Sequence, residues 1–512
     1  MFGKPSRRKT IAVGAAVLAL ATACSRADAP VPTATEQTPQ AQVVQAPAPV
    51  PTTTSPPEAP PDPAFNKVSE LINRAIAANE LPGAVVLVGH AGRVVFHQAY
   101  GDRKLAGEPG LDGSPAPAER MTEDTIFDLA SLTKPLATAP AVMQLYEQGK
   151  VAFDDPVQKY LPDFNPANDP VRAQVTVRML LTHTSGETGD VELKDPWGLG
   201  QIDRAEGFHR ALTTPLESTP GAGVRYSDIN FILLGAIVEK LTGETEDDYV
   251  QQNVFAPLGM NETRYLPAGK VCGPHVMRGA ALAWAPETAG FGPAECPADT
   301  WSISLLSRIA PTARDEENRG DPGKNPDIDY LLRGSVNDTT ARRMGGVAGH
   351  AGVFSTAHDV GVYAQALLDR LAGRPSTYPL TQATVELMTS PQQPGHSAGQ
   401  VEAANEANRE AIAKTPRTSD PMLAPRYPAI RGQNLRGFGW DIDTGQSTPR
   451  GEVFPIGSFG HTGFTGTSIW VDPGSDTYVV LLTNSIHTRG SPPASKLRGD
   501  VATAAAQAVG VS

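Results

Sequence analysis

Strand-like segments mark both ends of the patterned part of this 512-residue chain, and helix-like segments fill the interval between them. The stretch AVVLVGHAGRVVFHQAYGDR, which begins at Ala84, holds two β-branched runs separated by His-Ala-Gly-Arg, the pattern of a hairpin. Near the C-terminus GFGWDID, TSIWVDP and TYVVLLTN alternate or run apolar like further strands. This order predicts an α/β chain of the α+β type: one mainly antiparallel sheet built from both chain ends, flanked by helices, with an all-helical region inserted. FNKVSELINRAIAANELPG, from Phe65, has apolar residues at helical spacing and stops at Pro-Gly. The segment after Ser131 reads as helix through about Gln148, with Pro135 tolerated in its first turns and Pro140 predicting a kink. SDINFILLGAIVEKLTG is a second helix that Ser227 or Asp228 can cap and Gly243 can end, and PASKLRGDVATAAAQAVG closes the chain as another. Residues 267–345 and 391–434 lack a clear period and read as irregular surface insertions.

The N-terminus has a different logic. MFGKPSRRKT is basic, and the apolar run IAVGAAVLALATA follows it, as in a signal peptide. The run falls short of the ~20 residues that a bilayer-spanning helix needs. Small residues before Cys24 resemble a bacterial lipoprotein processing box, which would cleave off residues 1–23 and leave Cys24 as the lipidated first residue; ordinary cleavage nearby is the alternative. Residues 24–64 are rich in Pro, Thr and Ala and cannot bury enough surface to offset their ordering entropy, so they read as a disordered tether. The folded domain is expected over 65–512, exported and membrane-anchored in the cell envelope. Export would place Cys272 and Cys296 where disulfides form, and bridging them would be worth ~3 kcal/mol on the chain-entropy model; two free thiols are the alternative. A net charge of −12, with no basic block beyond the first ten residues, argues against nucleic acid as a partner. The cysteines lack His partners at metal-ligand spacing and no H-E-x-x-H occurs, so neither a metal nor another cofactor is expected.

The chemistry is concentrated in FDLASLTKPLATAPAVMQL, from Phe127. It sets Ser131 three residues before Lys134 at a helix start, on one helix face. A serine hydroxyl is a poor nucleophile until a neighbour takes its proton, and a lysine amine can do so only when uncharged. The spacing alone is common: Ser6 and Lys9 share it inside the signal segment. Two further segments add weight, GVRYSDIN with Tyr226-Ser227-Asp228, and FGHTGFTGTSIWVDP with His461-Thr462-Gly463.

These three segments, in this order, resemble the three-part motif set of the penicillin-recognising serine hydrolases, in their class C β-lactamase-like branch. LLTHTSG, DDPVQKYLPDF and GGVAGHAGVFSTAHDV also look like family segments, and the resemblance spans about residues 66–512. It implies that Ser131 is acylated, that Lys134 and Tyr226 share proton transfer, that the backbone N–H groups of Ser131 and Phe464 form an oxyanion hole, and that His461, Thr462 and Gly463 face the polar end of a substrate. Two positions depart from the lactamase pattern. Asp228 stands where Asn usually holds a substrate amide, and a carboxylate cannot donate. His461 stands where lactamases carry Lys, as in some DD-peptidases and D-amino-acid hydrolases of the branch. The expectation is therefore a monomeric serine hydrolase acting on small esters or D-amino-acid peptides of cell-wall type rather than an efficient β-lactamase. A non-catalytic envelope module that binds peptidoglycan fragments or a partner enzyme is the alternative from another class. His183, in LLTHTSG, reads as a structural hydrogen-bonding residue, and GGVAGHAG as a tight loop rather than a phosphate cradle.

Overall fold

The computed structural model describes residues 62–284, 296–414, 433–491 and 493–511. The leader, Cys24 and nearly all of the expected tether lie outside the described residues. Apolar periodicity delivers the first helix, Asn66–Ala77, which buries Val68, Leu71, Ile72 and Ala75. The β-branched run that follows becomes the strand Gly83–His90, paired antiparallel on one side with Arg93–Lys104 and on the other with Thr477–Thr483, where Ala84 lies opposite Thr483. The two ends of the domain thus meet in one sheet. Its eight strands run in the spatial order Leu435–Arg436, Asp441–Asp443, Phe459–Thr462, Ser468–Asp472, Thr477–Thr483, Gly83–His90, Arg93–Lys104 and Glu119–Arg120, each antiparallel to its neighbour.

Both faces of the sheet are covered, which is why its central strands are apolar almost throughout. Ala84, Val86 and Val88 point into a core shared with the terminal helices Asn66–Ala77 and Ser495–Ala508. Val85 and Leu87 point the other way, into the larger core, with Val360, Tyr363 and Leu367 of the helix Ala357–Leu371. Each fully buried Val or Leu contributes roughly 1.5–3 kcal/mol in transfer free energy. Beyond that helix lies the inserted helical region, centred on Asp228–Thr242, nine of whose residues are buried. Gly243 ends this helix in the left-handed region, φ 77°. Ser227 occupies its N-cap position, but its hydroxyl makes no cap bond.

Two expectations need correction. The run after Ser131 is helical through Glu147 as expected, but its start is not regular α-helix. Lys134–Thr138 form a π-turn, closed by Ala139 N–H on the Lys134 carbonyl, and the α-helix Ala139–Glu147 continues it without a break. Pro140 has no N–H to give the Pro135 carbonyl five residues before it, and that carbonyl accepts from the Tyr363 hydroxyl at 2.7 Å instead. Residues 391–434 are not wholly irregular either: Gln400–Lys414 is a helix. It is built from good helix formers (Ala, Glu, Gln) rather than from an apolar stripe, and Asn405 clips it to Ile456 through both its amide oxygen and its amide nitrogen. The described residues of 267–345 hold mainly short ladders and turns, with Cys272 and Cys296 joined in a disulfide. This insertion is anchored in the interior: Arg342 and Arg343 are buried, and Arg343 donates to the Asp195 carbonyl at 2.9 Å.

Candidate active site

The site begins at an elbow. The short strand Phe127–Asp128 pairs with Val353–Ser355, and the chain then turns through Ala130, a non-glycine residue held at φ 47°. That conformation costs roughly 1–2 kcal/mol for an L-residue. Asp128 clamps the turn: one carboxylate oxygen accepts from Ala130 N at 2.9 Å and the other from Asn337 N at 2.7 Å. Burial pushes the Asp128 carboxyl up to about 6 despite these bonds. The elbow delivers Ser131, and the 3-10 turn Ala130–Leu132 carries the chain on to Lys134, whose amine nitrogen lies 2.9 Å from the serine oxygen.

Lys134 is completely buried. Its ammonium donates to Ser131 Oγ at 2.9 Å and to the His350 carbonyl at 3.0 Å, and it is ion-paired with Asp228, whose Oδ1 lies 2.6 Å away. Burial works against the charge, but Asp228 and Tyr226 outweigh it and hold the Lys134 ammonium above its ordinary value. Tyr226 packs against the same group, its ring centre 4.9 Å from Nζ. Burial pushes the phenol up and Asp228 adds to this, while Lys134 and Ser131 oppose both. The resting arrangement is an ion-paired ammonium beside a neutral phenol.

His183 supports Tyr226, its ring centre 4.4 Å away. Its Nδ1 accepts from Ser227 N at 3.2 Å and lies 3.2 Å from the Asn230 amide nitrogen, so it pins the start of the helix Asp228–Thr242. Burial holds this imidazole well below its ordinary value. The strand Phe459–Thr462 forms the opposite wall. Beyond it, the turn Gly463–Thr467 is stapled to the elbow, because Thr465 Oγ1 donates to the Asp128 carbonyl at 2.8 Å and Thr467 Oγ1 to the Leu129 carbonyl at 3.1 Å. Gly463 permits this approach; a Cβ there would lie 2.1 Å from Thr467 Oγ1 and 2.5 Å from the Leu129 carbonyl oxygen.

A cleft of about 630 Å³ opens over these groups. Ser131, Tyr226, Asp228, Thr462, Gly463 and Phe464 all line it, and Phe464 is 76% exposed. His461 is the exception among the expected site residues. It is 1% exposed and absent from the cleft wall, with Nδ1 2.8 Å from the Thr462 carbonyl and its ring 6.1 Å from that of Tyr226. It packs behind Tyr226 and does not line the cleft.

Four features of the site escaped the sequence reading. Asp228 was expected to face a substrate amide, and the structure adds an ion pair with Lys134. His350, within the GGVAGHAG loop, supplies a main-chain carbonyl to Lys134, and its ring is paired at 2.8 Å with Asp338, which lines the cleft. Asp338 raises the His350 imidazole above its ordinary value against the pull of burial. Arg498, in the last helix, also lines the cleft. The signal for it was a cation on the buried side of an Ala-rich helix. Among the described residues no three His, Cys, Asp or Glu side chains gather as a metal-binding set.

The Beta-lactamase family model matches residues 68–503. The chain belongs to the β-lactamase family. This β-lactamase-family protein is 30% identical, over 432 residues, to N-acetylmuramyl-L-alanine amidase of Bacillus subtilis (strain 168), a match covering 83% of this chain and 81% of the relative. It is 29% identical over 422 residues, 80% of each chain, to a protein of Escherichia coli (strain K12) that carries a D-alanyl-D-alanine carboxypeptidase name. A class C β-lactamase crystal structure shares the fold, with a TM-score of 0.52 at 17% identity over 86% of this chain and 97% of that one. The protein is a serine hydrolase of the β-lactamase family, with the class C β-lactamase-like fold expected from its sequence.

Proposed function

We propose that the protein is an exported serine amidase that forms an acyl-enzyme on Ser131 with small substrates derived from the cell wall. The observation that carries this reading is the convergence of Ser131, Lys134, Tyr226 and Asp228 from two distant segments at the base of one cleft. The charge on Lys134 divides the labour. Kept as an ammonium beside Asp228, its nitrogen has no lone pair to offer Ser131, so the acceptor of the serine proton is the Tyr226 oxygen. The reactive form is the minor phenolate, stabilised by the Lys134 cation. Ser131 attacks the amide carbonyl. The oxyanion is met by the N–H groups of Ser131 and Phe464, and Tyr226 returns the proton to the leaving amine. Water then attacks the acyl-enzyme, with Tyr226 as base again.

The amidase relative, similar over four-fifths of both chains, supports an N-acetylmuramyl-L-amino acid as substrate. So does a cleft wall rich in hydrogen-bonding side chains, including Asn337, Thr339, Gln446 and Thr448. The E. coli relative favours a second reading, a D-alanyl-D-alanine peptide. Residues 1–23 would direct export and lipidated Cys24 would hold the domain at a membrane through the 24–64 tether.

The test is a panel of N-acetylmuramyl-L-alanine, a D-Ala-D-Ala peptide, p-nitrophenyl butyrate and nitrocefin, run beside fluorophosphonate labelling. Cleavage of the muramyl amide with little nitrocefin turnover is expected, and both cleavage and labelling should vanish in Ser131→Ala. Well-folded protein that takes no label would sink the proposal. Cys24→Ser should release soluble protein; equal retention in membranes would refute the anchor.

A further inference from the structure

Arg498 is a buried cation beside the reacting groups with no acidic partner among the described residues. Its Nη2 donates to the Gly463 carbonyl at 2.6 Å and to the Thr467 carbonyl at 3.0 Å, and its Nε has no hydrogen-bond partner. Burial lowers this guanidinium to about 10, still charged at neutral pH. Its helix neighbour Lys496 bonds Asp500 at 2.6 Å, so that carboxylate is engaged elsewhere. A buried charge without a counter-charge is costly and calls for a reason.

The reason lies in the peptide group that it touches. The Gly463 carbonyl and the Phe464 N–H belong to one planar trans unit, so they point in opposite directions. That carbonyl accepts from Gly466 N across the turn at 3.1 Å and from Arg498, its shorter and charged donor, at 2.6 Å; holding it fixes the direction of the N–H. Phe464 lies beyond the ladder, which ends at Thr462 opposite Ser468. A charge-assisted bond to the carbonyl also draws electron density from the nitrogen and strengthens its N–H as a donor. We propose that Arg498 is a positioning residue for acyl transfer: through the Gly463–Phe464 peptide it aims and polarises the Phe464 N–H that binds the oxyanion. This rests on the reading of Phe464 N–H as an oxyanion donor.

The test uses the full folded domain and two probes without a carboxylate, a neutral fluorophosphonate and phenylboronic acid, both of which place a tetrahedral oxygen in the oxyanion position once bonded to Ser131. Loss of a whole oxyanion donor typically costs roughly 10²–10³-fold, and Arg498 strengthens one without supplying it. Arg498→Gln should therefore slow the second-order labelling rate roughly 10- to 100-fold and raise the boronate Ki by a similar factor. The label incorporated at completion should stay stoichiometric, because it counts folded sites, whereas a merely structural role would lower that endpoint and leave the rate constant of the surviving sites unchanged. Arg498→Lys, which keeps the charge but not the fork, should fall between wild type and Arg498→Gln, and it carries the test if the Gln variant does not fold. Unchanged rate and Ki in a folded variant would overturn the proposal, as would a defect confined to substrates that carry a carboxylate, which would make Arg498 a direct substrate contact. If wild-type protein takes no label, or Ser131→Ala still does, the underlying acyl-enzyme reading fails first.

Discussion

Asp228→Asn is the sharpest test of the proposed proton path. The replacement is nearly isosteric and removes one negative charge 2.6 Å from Lys134 Nζ. In the wild type that charge holds the Lys134 ammonium up, and it also pushes the Tyr226 phenol up, against the pull of Lys134. Without it, whichever group yields the shared proton does so at lower pH. At an effective dielectric constant of about 20 and a separation of about 6 Å, one unit charge is worth ~3 kcal/mol, or about two pKa units. The Asp228 side chain is 22% exposed, so solvent screening reduces the expected change to about one unit. The assay is kcat/KM for p-nitrophenyl butyrate, corrected for spontaneous hydrolysis, from pH 6 to pH 11. A base must be deprotonated to act, so the wild-type rate rises with pH through the apparent value of the Lys134–Tyr226 pair. In Asp228→Asn this acid limb should move down by about one unit, so that well below the midpoint the variant reaches up to ~10-fold more of its own plateau than wild type does. An acid limb that stays in place or moves up would refute the account in which Asp228 holds back the phenolate.

Further outcomes can be measured independently. Tyr226→Phe should lower kcat by roughly 10²–10⁴ with a much smaller change in KM, read by stopped-flow acylation; near-normal acylation would return the base role to Lys134. Glu246 is buried and held up to about 7 by burial, against an unfolded value near 4.5. It therefore binds more protons folded than unfolded, and stability falls as pH rises through that window. Glu246→Gln should gain roughly 1–3 kcal/mol at pH 8 and nothing at pH 4 by urea titration; equal effects at both pH values would contradict the burial argument. Cys272→Ser opens the loop to Cys296, 24 residues on, and should lose about 3 kcal/mol by guanidinium titration only when the wild type is kept oxidised. A loss of the same size between fully reduced proteins would assign the effect to packing.

The legible parts of the molecule are those whose physics is local. The hairpin at Ala84 and the helix Asp228–Thr242 are written in periods of two and 3.6, and Ser131 with Lys134 in a spacing of three. Tyr226 was visible only through family resemblance, since nothing near it in the chain marks it. The burial of His461 was legible but missed: Phe459 shares its strand face and is 1% exposed, so alternation sends both side chains inward. Asp228 was given only half its role, because its partner Lys134 lies in another element and no spacing rule links them. The carbonyl acceptor of Lys134 could not have been found from residue types, because it belongs to the main chain of His350, and any residue there would carry one.

That carbonyl is held in place by chemistry one layer further down. Thr138 Oγ1 lies 2.6 Å from the Gly349 carbonyl and 2.7 Å from Glu246 Oε1, yet a hydroxyl has one proton to give. Both contacts are satisfied only if Glu246 is the neutral acid, donating to Thr138, which then donates to Gly349. The burial that keeps Glu246 protonated therefore also completes the chain that fixes the Gly349–His350 segment. Gly349 has to be glycine for the segment to come this close, because a Cβ there would lie 2.0 Å from the Phe231 carbonyl oxygen. Thr138 belongs to the same π-turn as Lys134, so that turn places the ammonium at one end and orders its carbonyl acceptor from the other.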